Sequence, residues 1–171
     1  MSNIKELANV PEISFIENMS LQETEELVRA NYTRIFKELT GQDAELGEAD
    51  AKNLFVRDSK RRDYYLITVR GDKRVDLKQF RQQNQTRSLS FASAEELGEL
   101  LGLIPGAVTP LGLLNDGDRR VSFYLDASFC RPEAQKIGVH PNDNTATLWL
   151  QVEDLLRLIR AHGNPVHVVP I

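Results

Sequence analysis

Apolar and polar residues alternate with two different periods along the chain, and the changes of period mark its elements. Near the N-terminus, Ser20-x-x-Glu23 forms a capping box, and Leu27, Val28, Ile35, Phe36 and Leu39 follow at helical spacing until Gly41. This predicts one long helix or a broken pair. Two period-2 runs, "NLFVRD" and "YYLITVRG", flank the polar turn "SKRR" and predict a strand hairpin. "VDLKQFRQQ" reads as a short helix, "SLSFAS" as a strand, and Ser93-x-x-Glu96 as the cap of a helix running to Gly102. "VSFYLD" and "TATLWL" alternate as strands do, Val152 to Ala161 is helical, and "VHVVPI" closes with a strand. Short strands interleaved with helices predict an α+β domain around a curved mixed β-sheet.

Length and composition narrow the class. A chain of 171 residues with 41% hydrophobic and 27% charged residues fits one globular domain spanning 1–171, with residues 1–50 as a helical N-terminal part. Apolar runs fall well short of the roughly 20 residues of a membrane span, and "MSNIKELANV" lacks signal-peptide character. A cytoplasmic protein without a membrane partner is expected. Cys130 is the only cysteine, which excludes an internal disulfide, and no Cys/His group has zinc-ligand spacing. We read it as a small buried residue rather than a nucleophile.

Charge changes the picture more. Residues 1–51 hold 4 basic and 11 acidic side chains, residues 52–87 hold 11 and 4, and the remainder 6 and 10. The middle block therefore carries +7 in a chain whose net charge is −4. Either it is a phosphate-binding face, with Arg61 and Arg62 as candidates for nucleic-acid contact, or it is a solvated surface paired with the acidic N-terminal segment.

The most unusual chemistry lies in "GLIPGAVTPLGLLND", Gly102 to Asp116, where three glycines and two prolines punctuate an apolar segment. Such a loop is stiff and shaped, and its amides can hold an oxyanion or a carbonyl oxygen. A tight strand connection with Gly102 as a helix C-cap explains the same residues. The spacing matches neither a Walker loop nor a dinucleotide fingerprint. In "HPNDNTAT", His140 precedes a turn-rich segment leading into a strand.

"AKNLFVRD", "VDLKQF" with "LSFASAEELGELLGLIPGAVTPLGLLND", and "HPNDNTAT" together resemble the free-standing prolyl-tRNA editing proteins of the YbaK/ProXp-ala (PrdX) superfamily. The resemblance covers residues 50 to 171. It implies a YbaK-like fold, a barrel-like mixed sheet surrounded by helices, and hydrolysis of an amino acid wrongly attached to tRNA. It further implies Lys52 as the essential lysine, Asn53 as its companion, and Gly106 as the oxyanion-side backbone. Ala107, Val108, Thr109 and Pro110 complete the pocket loop, with His140 as the pocket histidine. The implied substrate is alanine on tRNA(Pro); serine or cysteine, or tRNA binding without turnover, are the alternatives. The implied partners are the tRNA(Pro) acceptor end and prolyl-tRNA synthetase, with no DNA, metal or cofactor. The N-terminal "SFIENMSLQETEEL" departs from the family's His-Pro opening, with Asn18 near the expected histidine.

Overall fold

A computed structural model describes residues 45–46, 51–71, 73–132, 136–142 and 147–171. The long N-terminal helix expected around residues 20–39 lies outside the described residues.

Among the described residues the strands run in chain order as β1 (Glu45–Leu46), β2 (Ala51–Asp58), β3 (Tyr64–Arg70), β4 (Leu89–Phe91), β5 (Val121–Asp126), β6 (Lys136–Val139), β7 (Leu148–Gln151) and β8 (Val166–Val169). The helices are α1 (Leu77–Asn84), α2 (Ala94–Leu101) and α3 (Val152–His162), with 3-10 helices at Pro110–Asn115 and Ala127–Cys130. A five-stranded sheet has the order β4-β2-β3-β5-β8, and a three-stranded sheet the order β1-β7-β6. β2 pairs antiparallel with β3 and β4, whereas β5 runs parallel to both β3 and β8. The α+β class and the mixed sheet are those the pattern predicts. Among the described residues the strands divide between two sheets, and neither closes into a barrel.

The central strand explains why this sheet needs cover on both faces. In "YYLITVR" six successive residues are buried, as in a strand enclosed from both sides. Alternation sends Phe55, Tyr64, Leu66, Phe123 and Leu125 to one face, where they join Leu101, Leu111, Leu148 and Leu155 in the larger core. Leu54, Val56, Tyr65, Ile67, Val69 and Tyr124 face the other way and pack on Phe80 of α1. The Phe80 and Tyr124 rings meet edge-on at 5.0 Å.

Local signals fix the helix ends. Asp76 accepts from the Lys78 and Gln79 amides and so caps α1. The Ser93/Glu96 capping box forms on α2, and the same Glu96 carboxylate takes Arg57 Nε at 3.1 Å and the Tyr64 hydroxyl at 3.1 Å. Gly102 ends α2 at φ 62 and donates to the Gly98 carbonyl. The stiff segment continues after Thr109 as a 3-10 helix that Pro110 starts and whose Leu111, Leu113 and Leu114 are buried. One sequence reading needs correction. Cys130 is exposed rather than buried, since the Ala127–Cys130 turn spends its inward positions on Ser128 and Phe129.

Candidate active site

The site forms where the parallel strands end and β2 begins. β2 and β3 are in continuous register from Ala51↔Arg70 through Arg57↔Tyr64, so Lys52 lies opposite Val69 and Asn53 opposite Thr68. Neighbouring residues on a strand face opposite sides. Asn53 therefore shares the larger-core face of Phe55, while Lys52 shares the α1 face of Leu54 and Val56.

Asn53 is a clamp. Its Nδ2 donates to the Val108 carbonyl at 3.0 Å, and its Oδ1 accepts from the Thr68 hydroxyl at 2.6 Å. One carboxamide thus ties the glycine loop to the hairpin. Inside the loop, the Ala107 amide closes a turn on the Ile104 carbonyl at 3.1 Å. Gly106 takes φ 89 at the exposed corner, and a Cβ built there would meet nothing within 4 Å. Glycine is needed there for its backbone, not for space. Ala107, Thr109 and Pro110 are buried and Val108 half-buried. Thr109 donates to the His140 carbonyl at 2.6 Å, which ties the backbone of half-buried His140 to the same loop. Two residues on, Asn142 has φ 59, is 1% exposed, and among the described residues finds a hydrogen-bond partner for neither side-chain atom. A buried amide left so is a polar group that calls for a partner.

Lys52 is exposed, and its ammonium donates to the Lys73 carbonyl at 3.3 Å. That long bond engages one of three ammonium hydrogens. Lys73 itself is pinned: its Nζ lies 2.6 Å from Asp126 Oδ2 and 2.7 Å from the Ile171 carbonyl. Burial pushes the Asp126 carboxyl up, but the bonds from Lys73 and Ser128 and the Lys73 charge outweigh it and hold the group below its ordinary value. Although Cys130 is exposed, partial desolvation by its neighbours pushes its thiol up, which lowers its thiolate fraction.

The structure thus gathers Asn53, the Gly106–Pro110 loop and His140 on one side of β2, and places Lys52 around the strand's start on the other. Arg61 and Arg62 are exposed on the β2–β3 turn, with Arg61 at φ 53, at the opposite end of β2 from Lys52. Thr68, Lys73 and Asn142 were not singled out from the sequence. Thr68 was within reach, because the hairpin register sets it across from Asn53; nothing local marks the other two. Among the described residues no three His, Cys, Asp or Glu side chains gather as metal ligands, and no helix is long and apolar enough to cross a membrane.

The profile of the aminoacyl-tRNA editing domain family matches residues 36–158. Prolyl-tRNA editing protein ProX of Acetoanaerobium sticklandii is 36% identical over 151 residues, 84% of this chain and 91% of that protein. Prolyl-tRNA synthetase associated domain-containing protein 1 of Mus musculus is 38% identical over 119 residues, 68% of this chain and 69% of that protein. Among solved structures, a candidate trans-editing enzyme for prolyl-tRNA synthetase matches with a TM-score of 0.54 at 25% identity, covering 80% of each chain. The chain belongs to the aminoacyl-tRNA editing domain family. It is thereby a hydrolase that removes the amino acid from mischarged aminoacyl-tRNA.

Proposed function

We propose that the protein edits tRNA(Pro) in trans, in the cytoplasm, and that alanine is the amino acid it removes best. The relatives' names, prolyl-tRNA editing and prolyl-tRNA synthetase association, support the tRNA and suggest the synthetase as a partner. The observation that carries the reading is the Asn53 to Val108 hydrogen bond at 3.0 Å. It couples the strand bearing Lys52 to the loop bearing Gly106, the two segments such a reaction needs together.

An aminoacyl ester is already activated, so the protein has to orient it, stabilise the tetrahedral oxyanion and exclude the correct amino acid. In our reading the amino acid enters between the Gly106–Pro110 loop and His140. Lys52 reaches past the start of β2 to the ester carbonyl or the adjoining phosphate. Water adds to the carbonyl carbon, the oxyanion forms, and the carbon–oxygen bond to ribose breaks. The ribose oxygen takes a proton, releasing free amino acid and intact tRNA. A neighbouring ribose hydroxyl of the substrate orients the water.

Deacylation of alanyl-, seryl-, cysteinyl- and prolyl-tRNA(Pro) by the full chain tests the reading. Alanyl-tRNA(Pro) should be cleaved fastest. A prolyl ester cleaved equally fast would overturn the specificity, and no cleavage of any ester would overturn the activity.

A further inference from the structure

Sorting the cations of residues 52–87 by their partners divides the basic block. Arg57 is held by Glu96, Lys73 by Asp126 and Arg87 by Asp58. These charges hold the fold together. Beyond these and Lys52 itself, exposed cations of the block lie in two places: Lys60, Arg61 and Arg62 on the β2–β3 turn, and Arg74, Lys78 and Arg81 at and along α1.

Geometry separates the two groups. From Lys52 to Asp58 is six strand steps, about 20 Å at 3.3 Å per residue, so the turn lies far from the ester-binding end. α1 begins just beyond Lys73, whose carbonyl Lys52 touches. Moreover, α1 covers the face of the sheet to which Lys52 belongs.

The surface of α1 has its own chemistry. Leu77 and Phe80 turn inward, and Lys78, Gln79, Arg81, Gln82 and Gln83 are exposed. No carboxylate stands within this helix, and Asp76 before it is occupied with the cap. The other helices expose acids, Glu95 and Glu99 on α2 and Glu153 on α3. Ammonium, guanidinium and carboxamide groups without carboxylates form a donor set for phosphate and ribose oxygens.

An independent feature lies beside it. Phe91 on edge strand β4 is 62% exposed, although a large aromatic on a sheet edge is ordinarily covered. It pairs with Val56, so it occupies the same face as α1 and Lys52. Lys52 and Val56 are four strand steps apart, about 13 Å. An exposed aromatic on a face that also carries cations is a stacking platform for an unpaired base.

We propose that the RNA strand leading to the ester lies across the α1/β4 face, its phosphates on Lys78 and Arg81 and an unstacked base on Phe91. The amino acid then passes the start of β2 to the loop on the opposite side. This rests on the editing function above and assigns the face that meets the tRNA.

Binding of uncharged tRNA(Pro), measured by fluorescence anisotropy across a salt series with the full chain, tests it independently of hydrolysis. Lys78→Gln/Arg81→Gln should weaken binding at least 10-fold near 0.1 M salt and reduce the slope of log Kd against log salt by about 1.5, two phosphate contacts' worth. Phe91→Ala should weaken binding by about 5- to 100-fold with the slope unchanged, since stacking releases no counterions. Arg131→Gln/Arg160→Gln, two exposed cations elsewhere, controls for overall charge. Melting temperatures within about 3 °C of wild type would show each variant folded. A wild-type slope in the Lys78/Arg81 variant would overturn the proposal, as would a larger loss in Arg61→Gln/Arg62→Gln. If binding follows the proposal but no ester is cleaved, the surface stands and the catalytic reading falls.

Discussion

Asn53 Nδ2 donates to the Val108 carbonyl at 3.0 Å across 55 residues of sequence. The same carboxamide accepts from Thr68, so its removal strands two groups at once. Asn53→Ala should destabilise the fold by about 1–3 kcal/mol, a fall in Tm of roughly 2–10 °C for a chain of this size. Deacylation should fall further than stability does, because the loop loses its tether. Asn53→Asp should retain the Thr68 bond yet set a carboxylate against the Val108 carbonyl. A thermal melt beside a deacylation assay checks both, and wild-type activity in both variants would show that the clamp is dispensable.

Lys52 is exposed, and its ammonium makes a long bond to the Lys73 carbonyl. Lys52→Ala should therefore cut deacylation by about 10²- to 10³-fold, the loss typical of one oxyanion donor, with Tm shifted by only a few degrees. Lys52→Arg should also fail, since a planar guanidinium does not replace a compact ammonium. Cys130→Ser should keep the wild-type rate, because that exposed thiol stands outside the assigned chemistry. Single-turnover kinetics on alanyl-tRNA(Pro) would decide it, and a folded Lys52→Ala enzyme with normal turnover would remove Lys52 from the site.

Selectivity should be a size limit. The loop's Ala107 is 1% exposed and Thr109 and Pro110 are buried, so the wall is packed and cannot yield much. A packed wall rejects a larger side chain by clash but a smaller one only weakly. Val108→Ala, which removes bulk from the half-buried loop position, should raise cleavage of larger aminoacyl esters relative to alanyl. An unchanged ratio in a competition assay would place the sieve elsewhere.

Asp126 sets a pH dependence of stability. Its folded-state pKa lies below the ordinary 3.8, so the carboxylate contributes stability at pH values above that figure. The contribution disappears as pH falls through the lower folded value. Relative to an Asp126→Asn variant, the wild-type protein should hold a constant stability advantage near neutrality and lose it between about pH 4 and the acid limit. Lys73→Met should cost about 2–3 kcal/mol at pH 7 by leaving a buried carboxylate without its cation. Denaturant melts at several pH values measure both, and parallel pH profiles for wild type and Asp126→Asn would contradict the assignment.

The local alphabet of the chain determined most of the elements. The hairpin β2–β3, helices α1 to α3, the Ser93/Glu96 capping box and the Gly102 cap depend on periodicity and on groups within a few residues of one another, which is information a sequence carries. So does the special character of Gly106, whose φ of 89 answers to a glycine placed between two prolines. The 3-10 helix after Thr109 escaped that reading, because its leucines resemble any apolar loop until a core forms around them. Cys130 was misplaced for a related reason: the inward positions of a short turn are chosen by the surrounding core, and they went to Ser128 and Phe129. Alternation along a strand puts the adjacent Lys52 and Asn53 on opposite faces, but only the tertiary structure decided what each meets there. Their partners are Lys73 and Val108, and contacts over 21 and 55 residues leave no local pattern. It likewise decided which cations are tied up in ion pairs, since a lysine already bound to a buried aspartate looks the same in sequence as one facing water.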